Sequence, residues 1–214
     1  MNNLDGLIET LARMPPKAGR AGIIVRLSLG LLIGTAGAAA FLLVADGLFP
    51  TGGHDGRSGA SIVKLVYSIS LATMAAILLV QFASPELKPG KRHLFAMTPV
   101  AVMAMIAMAE LFASPPSEWM TLMFGYGVSD CVTSVLVAAP PIFAGLVWSY
   151  RKLAPADVQL TGAAIGALAG AVSAALYAIV SGDASICFVF IWFSAAVVAT
   201  SVIGGLLGNI FLRW

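Results

Sequence analysis

Thiols are the most reactive groups this sequence offers, and it has two, Cys131 and Cys187. Each stands at the beginning of a long apolar run, so each is expected near the end of a helix. In an oxidising compartment the two could pair. They could also bind a soft metal together with Asp130, Asp183 or Glu118, or Cys187 could be an ordinary apolar residue of its helix. Met97, Met103, Met105 and Met108 could supply soft thioether ligands, but methionine is also a common gap filler in apolar helices. The histidines, His54 and His93, fall in different loops, on opposite faces of any membrane the chain crosses. No Ser-His-Asp set, H-E-x-x-H helix or phosphate-binding loop occurs. The sequence thus offers no residues to carry catalysis, no certain metal site and no sign of a cofactor.

The elements that must position these groups are apolar. Of 214 residues, 59% are hydrophobic and 10% charged, with a mean hydropathy of +0.95. A soluble domain carries about 25% charged residues, so a water-soluble globule is excluded. The net charge of +2 is too small for direct contact with nucleic acid. Spanning a bilayer takes about 20 mostly apolar residues, and six windows qualify. They run from about Leu27 to Leu48, Ser61 to Ala83, Leu94 to Ala113, Cys131 to Ser149, Gln159 to Ser181 and Ile186 to Phe211. Proline and glycine break the chain between them, as in Ser114-Pro115-Pro116-Ser117. The expected fold is all-α, a single six-helix transmembrane domain over 27–214 preceded by a separate segment, 1–26.

Basic residues set the orientation. With the N-terminus inside, ten of the 12 fall inside: Arg13, Lys17, Arg20, Arg26, Lys88, Lys91, Arg92, Arg151, Lys152 and Arg213. Arg57 and Lys64 fall outside. Both termini are therefore expected on the inner side of the membrane. Trp148, Tyr150 and Trp214 then lie near inner helix ends, and Trp119 and Tyr126 in the outer 114–130 loop, as aromatic belts would have it. Arg26 and Lys64 lie near span ends and are expected to snorkel to the surface. Both thiols face outside. Pro99, Pro140 and Pro141 could kink helices and open a cavity, or be kinks packed by their neighbours.

Small residues recur at intervals of four: Gly30, Gly34 and Ala38; Gly162, Gly166, Gly170 and Ala174; Gly204 and Gly208. That spacing lines them along one helix face, where backbones approach closely. Ahead of the bundle, Leu4, Leu7, Ile8 and Leu11 make one apolar face of a short helix. Asn3 can cap it and Pro15-Pro16 stops it. So short a helix is marginal alone in water. It either lies on the membrane or docks in a partner's groove.

Several stretches together resemble a known family. They are Leu7-Ile8-Glu9-Thr10-Leu11 through Pro15 with basic residues running to Arg26, Gly127-Val128-Ser129-Asp130-Cys131, Pro140-Pro141, Arg151-Lys152, the Gly162–Tyr177 helix, and the ending from Phe188 and Trp192 through Gly204 and Gly208 to Leu212-Arg213-Trp214. The chain is similar to the NrsF family, the negative regulators of sigma F, across essentially its whole length. The resemblance implies a six-span anti-sigma factor of the bacterial inner membrane, with both termini in the cytoplasm. Its N-terminal segment, with Leu4, Leu7, Ile8 and Leu11, would hold an extracytoplasmic-function sigma factor at the membrane. Periplasmic metal or oxidant, sensed by cysteine, would release it. Cys131 matches the family's first cysteine. The second falls at Ser181 here, and Cys187 comes six residues later, about 9 Å along a helix. From residue pattern alone the competing reading is a small multi-span transporter or permease.

Overall fold

The structure, a computed structural model, describes residues 20–45, 59–83, 97–125, 128–151, 157–181 and 185–211. Helices account for nearly all of them: α1 (Arg20–Ala45), α2 (Gly59–Ala83), α3 (Thr98–Ala113), a 3-10 turn (Pro116–Glu118), α4 (Trp119–Phe124), α5 (Val128–Tyr150), α6 (Val158–Val180) and α7 (Ile186–Phe211). The fold is all-α. Five helices are long and apolar enough to cross a membrane, and α3 is apolar but has 16 residues. α1 begins at Arg20, ahead of Leu27, and its candidate span at Ile24. The segment between α3 and α5 is partly helical.

Local chemistry fixes several boundaries. Asp157 caps α6, its Oδ1 accepting from the N–H groups of Gln159 (3.0 Å) and Leu160 (3.1 Å). Pro99 lies in the first turn of α3, where its missing N–H leaves no helical bond unmade. Pro140 and Pro141 lie inside α5. Pro141 packs against α1, within reach of Gly34 and Gly37.

Lipid hydrocarbon is as apolar as leucine, so burying apolar side chains does little to hold membrane helices together, and close packing must do it. Two crossings supply that packing. At the first, α6 meets α7: a Cβ added to Gly162 would lie 2.4 Å from the Gly204 carbonyl oxygen, and one on Gly204 2.5 Å from that of Gly162. Gly166 and Gly170 press on Thr200, and Gly208 on Gly162 and Val158. The second crossing joins α1 to α5. A Cβ on Gly30 would lie 2.5 Å from the Gly145 oxygen, one on Gly145 2.4 Å from that of Gly30, and one on Gly34 2.7 Å from Ile142 Cα. Both crossings lie within one chain.

α6 is the most buried span and packs against α7, α2 and α5. The core divides into two clusters. One, at the end where α5 and α7 finish, joins α1, α2, α5 and α6 through Leu27, Leu79, Ile142, Leu146, Tyr150, Ile165 and their neighbours. Tyr150 is wholly buried there and donates to Leu79 O at 3.0 Å. The other, at the opposite end, joins α2, α3, α5, α6 and α7 through Tyr67, Met103, Cys131, Val135, Phe188 and Phe193. A hydrogen bond of 2.6 Å between the Tyr67 and Ser194 hydroxyls ties α2 to α7. Arg26 and Arg151 lie at the first end. Glu110, Glu118 and Asp130 lie at the second. We refer to these as the basic and acidic ends.

Only some glycines are under contact pressure, which gives a graded expectation. Gly145→Ala or Gly204→Ala forces a methyl into opposing backbone and should destabilise the bundle by about 1–3 kcal/mol. Gly37→Ala meets Pro141 Cβ at 3.6 Å and Gly205→Ala meets Ala163 Cβ at 3.5 Å. Those two should be neutral or stabilise by up to ~1 kcal/mol, through helix propensity. Thermal unfolding of the four variants in detergent checks the order; equal melting temperatures would refute it.

Candidate functional site

At the acidic end the N-terminus of α7 is enclosed on two sides. The first N–H groups of any helix have no partner within it, and here other segments supply the acceptors. Ser185 caps the helix, its Oγ accepting from Phe188 N–H at 3.1 Å. The carboxylate of Glu110, near the end of α3, takes two more donors: Cys187 N–H on Oε2 at 2.8 Å and Ile186 N–H on Oε1 at 3.2 Å. A negative group at a helix N-terminus also gains from the helix dipole. The Cys187 thiol donates to Ala107 O at 3.0 Å, one turn earlier on α3. One acid and one thiol thus clasp α3 to α7.

The segment between α3 and α5 closes the other side. Ser185 Oγ donates to Leu122 O, and Trp192 Nε1 to Met123 O at 2.9 Å. The ring of Phe124 meets Trp192 edge to face, centroids 6.1 Å apart. Gly125 turns the chain at φ +47°, against the Phe188 ring, a backbone conformation open to glycine at little cost.

Both candidate sensing thiols lie at this end, and both are free. Cys131, in the first turn of α5, is 0% exposed, and Cys187 is 4% exposed. They look to different neighbours. Cys187 is held against α3, whereas Cys131 packs in the core cluster with Tyr67 and Phe188, within electrostatic reach of Lys64 on α2. Lys64 departs from the expectation of a snorkelling side chain. It is 1% exposed, its stem enclosed by helices rather than lying along lipid. Ser181, where the family's second cysteine would fall, ends α6. Its N–H donates to Tyr177 O at 2.8 Å, while its buried Oγ has no partner among the described residues.

Among the described residues no three of His, Cys, Asp and Glu converge as metal ligands. The Glu110 carboxylate and the Cys187 thiol both engage backbone groups at the α3–α7 contact. The methionines do not converge either: Met103 is buried, while Met97, Met105 and Met108 are 52–66% exposed. His54, His93 and the N-terminal residues Leu4, Leu7, Ile8 and Leu11 lie outside the described residues. The glycines at 162, 166, 170, 204 and 208 face each other at the α6–α7 crossing, remote from both thiols. Sequence alone places Glu110 near the outer end of the third span, among the outer acids, and gives Gly145 no role. Glu110 was detectable as an isolated acid in an apolar run, and Gly145 by its interval of four to Ser149, whose Oγ donates to Arg26 O at 2.8 Å.

The clasp predicts thiol behaviour. In the folded protein a maleimide should label both cysteines slowly. Glu110→Ala removes two acceptors from α7 at a cost of about 1–2 kcal/mol. That should raise the labelling rate of Cys187 by about 5–30-fold if local opening limits it, and leave Cys131 unchanged. Equal acceleration of both thiols would mean that Glu110 supports the whole bundle rather than this contact.

Comparison with known proteins adds a lineage. Residues 11–214 match the family model described as negative regulator of sigma F. An anti-sigma-F factor of Caulobacter vibrioides is 30% identical over 214 residues, covering 98% of this chain and 99% of its own. A probable anti-sigma-F factor of Azospira oryzae is 30% identical over 152 residues, 71% of each chain. No solved structure matches the chain.

Proposed function

The chain belongs to the family of negative regulators of sigma F, and on that premise we propose that it is a membrane-embedded anti-sigma factor of the bacterial inner membrane. The family match over nearly the whole chain carries this reading. The role is regulatory, not catalytic. Its partner is an extracytoplasmic-function sigma factor, bound by the segment 1–26 through Leu4, Leu7, Ile8 and Leu11. Of these four, Leu11 falls inside the family match, which begins there. The bundle, 27–214, anchors that segment in the bilayer. The excess of Lys and Arg on the basic end supports cytoplasmic termini, as the positive-inside rule has it.

The acidic end then faces the periplasm, and the signal enters there as a soft metal or an oxidant at Cys131 and Cys187. The burial of both thiols bears on how such a signal would act. A buried sulfur has no room for an added ligand, so its modification must displace neighbours. For Cys187 these are Ala107 and the Glu110 carboxylate, and for Cys131 the cluster around Tyr67 and Phe188. Either displacement loosens helices that α6 connects to the basic end. Glu110 and Ala107 thus give the thiol signal a mechanical route that Ser181, in place of a second family cysteine, does not.

Affinity purification of the full-length chain from its host in mild detergent tests the first half of this reading. A sigma factor should accompany the parent and be lost from the Leu7→Asp, Ile8→Asp double variant, with equal amounts of both proteins in the membrane. Its absence from the parent would sink the proposal, and its persistence with the variant would place the interface elsewhere. For the second half, Cys131→Ala should abolish release by periplasmic metal or oxidant while leaving sigma binding intact.

A further inference from the structure

At the basic end α5 and α7 part around a cleft of about 240 Å³ lined by Phe143, Ala144, Val147, Trp148, Arg151 and Phe211. Its walls are apolar, and Trp148, 64% exposed, stands at its side. Arg151 is exposed, one residue beyond the end of α5, and its Nε donates to Phe211 O at 3.1 Å. That bond caps the last turn of α7, where a cation is favoured. It uses one of five guanidinium donors. The other four make no hydrogen bond among the described residues.

A larger groove of about 460 Å³ between α2 and α3, lined by Val66, Tyr67, Pro99 and Met103 among others, contains no charged residue. Hydrocarbon of any lipid suits it equally, so it selects nothing. The α5–α7 cleft differs because an apolar slot ends at a guanidinium fork. The slot lies at the ends of two spanning helices, where headgroups meet water and tryptophan gathers. A planar guanidinium takes phosphate oxygens two at a time.

We propose that this cleft binds one anionic phospholipid from the leaflet at the basic end, an acyl chain lying between α5 and α7 and the phosphate on the remaining donors of Arg151. Lipid surrounds every spanning helix, so the signature of such a site is headgroup preference rather than binding as such.

The test is native mass spectrometry of the full-length chain in mild detergent with equimolar phosphatidylglycerol and phosphatidylcholine added. The parent should retain one phosphatidylglycerol with a preference of about fivefold, the factor expected of one cation at a membrane surface. Arg151→Gln keeps an amide donor for Phe211 O and removes the charge together with the two terminal NH2 groups, so the preference should fall to parity. Ala144→Trp fills the slot and leaves Arg151, and should reduce retention of both lipids. Parity in the parent, or an unchanged preference in Arg151→Gln, overturns the proposal. So does displacement of the lipid by millimolar inorganic phosphate, which would make this an anion site with no use for the slot. Loss of a co-purifying protein from Ala144→Trp with lipid retention unchanged would make the cleft a protein-docking surface and overturn it too.

Discussion

Helices in lipid gain little by hiding apolar side chains from one another, so the bundle depends on how closely two backbones can approach. Where Gly162 and Gly166 meet Gly204 and Gly208, no side chain intervenes and carbonyl groups come within reach of the opposing Cα atoms. The contact is reciprocal, each glycine making room for its counterpart. The same arrangement recurs where Gly30 and Gly34 meet Gly145 and Ile142. These approaches set the separation of α6 from α7 and of α1 from α5. The larger side chains of the core then fill what those separations leave.

The two core clusters divide the helices unevenly. α1 contributes to the cluster at the basic end, α3 and α7 to the one at the acidic end, and α2, α5 and α6 to both. A disturbance at the α7 N-terminus therefore has a packed route to the far end through α6. At one end of that route lie two buried thiols and a carboxylate spent on helix amides. At the other lie Arg26, Arg151 and the beginning of α1, from which the N-terminal segment departs. Packing continuity makes coupling between the ends physically available; a measured change at one end on perturbing the other would establish it.

Much of this was legible in the residues, and the illegible part has a common cause. Spans announce themselves because about 20 apolar residues have few other uses. Their ends are less legible: α1 reaches back to Arg20, where arginine lowers the hydropathy. Gly162, Gly166 and Gly170 were visible by their spacing along one helix. Gly145 shows only its interval of four to Ser149, because its reason for being glycine is Gly30, far away in the chain. Glu110 looked like an acid near a helix end, and only the neighbouring amides of Ile186 and Cys187 give it a role. A lysine near a span end is expected to snorkel, but Lys64 is buried, since a hydropathy pattern does not say which face of α2 meets other helices. The thiols could be placed at one end of the bundle by counting spans, but which neighbours each would touch depended on tertiary packing.

The two glycine crossings also differ in when they can form. Gly166 and Gly204 are 38 residues apart and belong to adjacent helices, so α6 and α7 can close as a hairpin as soon as α7 is made. Gly30 and Gly145 are 115 residues apart, and at about 5–20 residues per second a ribosome needs roughly 6–23 s to cover that distance. For that interval α1 resides in the bilayer with the backbone at Gly30 and Gly34 exposed to whatever lies beside it. The early life of this protein is thus a period in which a surface built for one partner waits for it, and translation rate becomes a determinant of correct assembly.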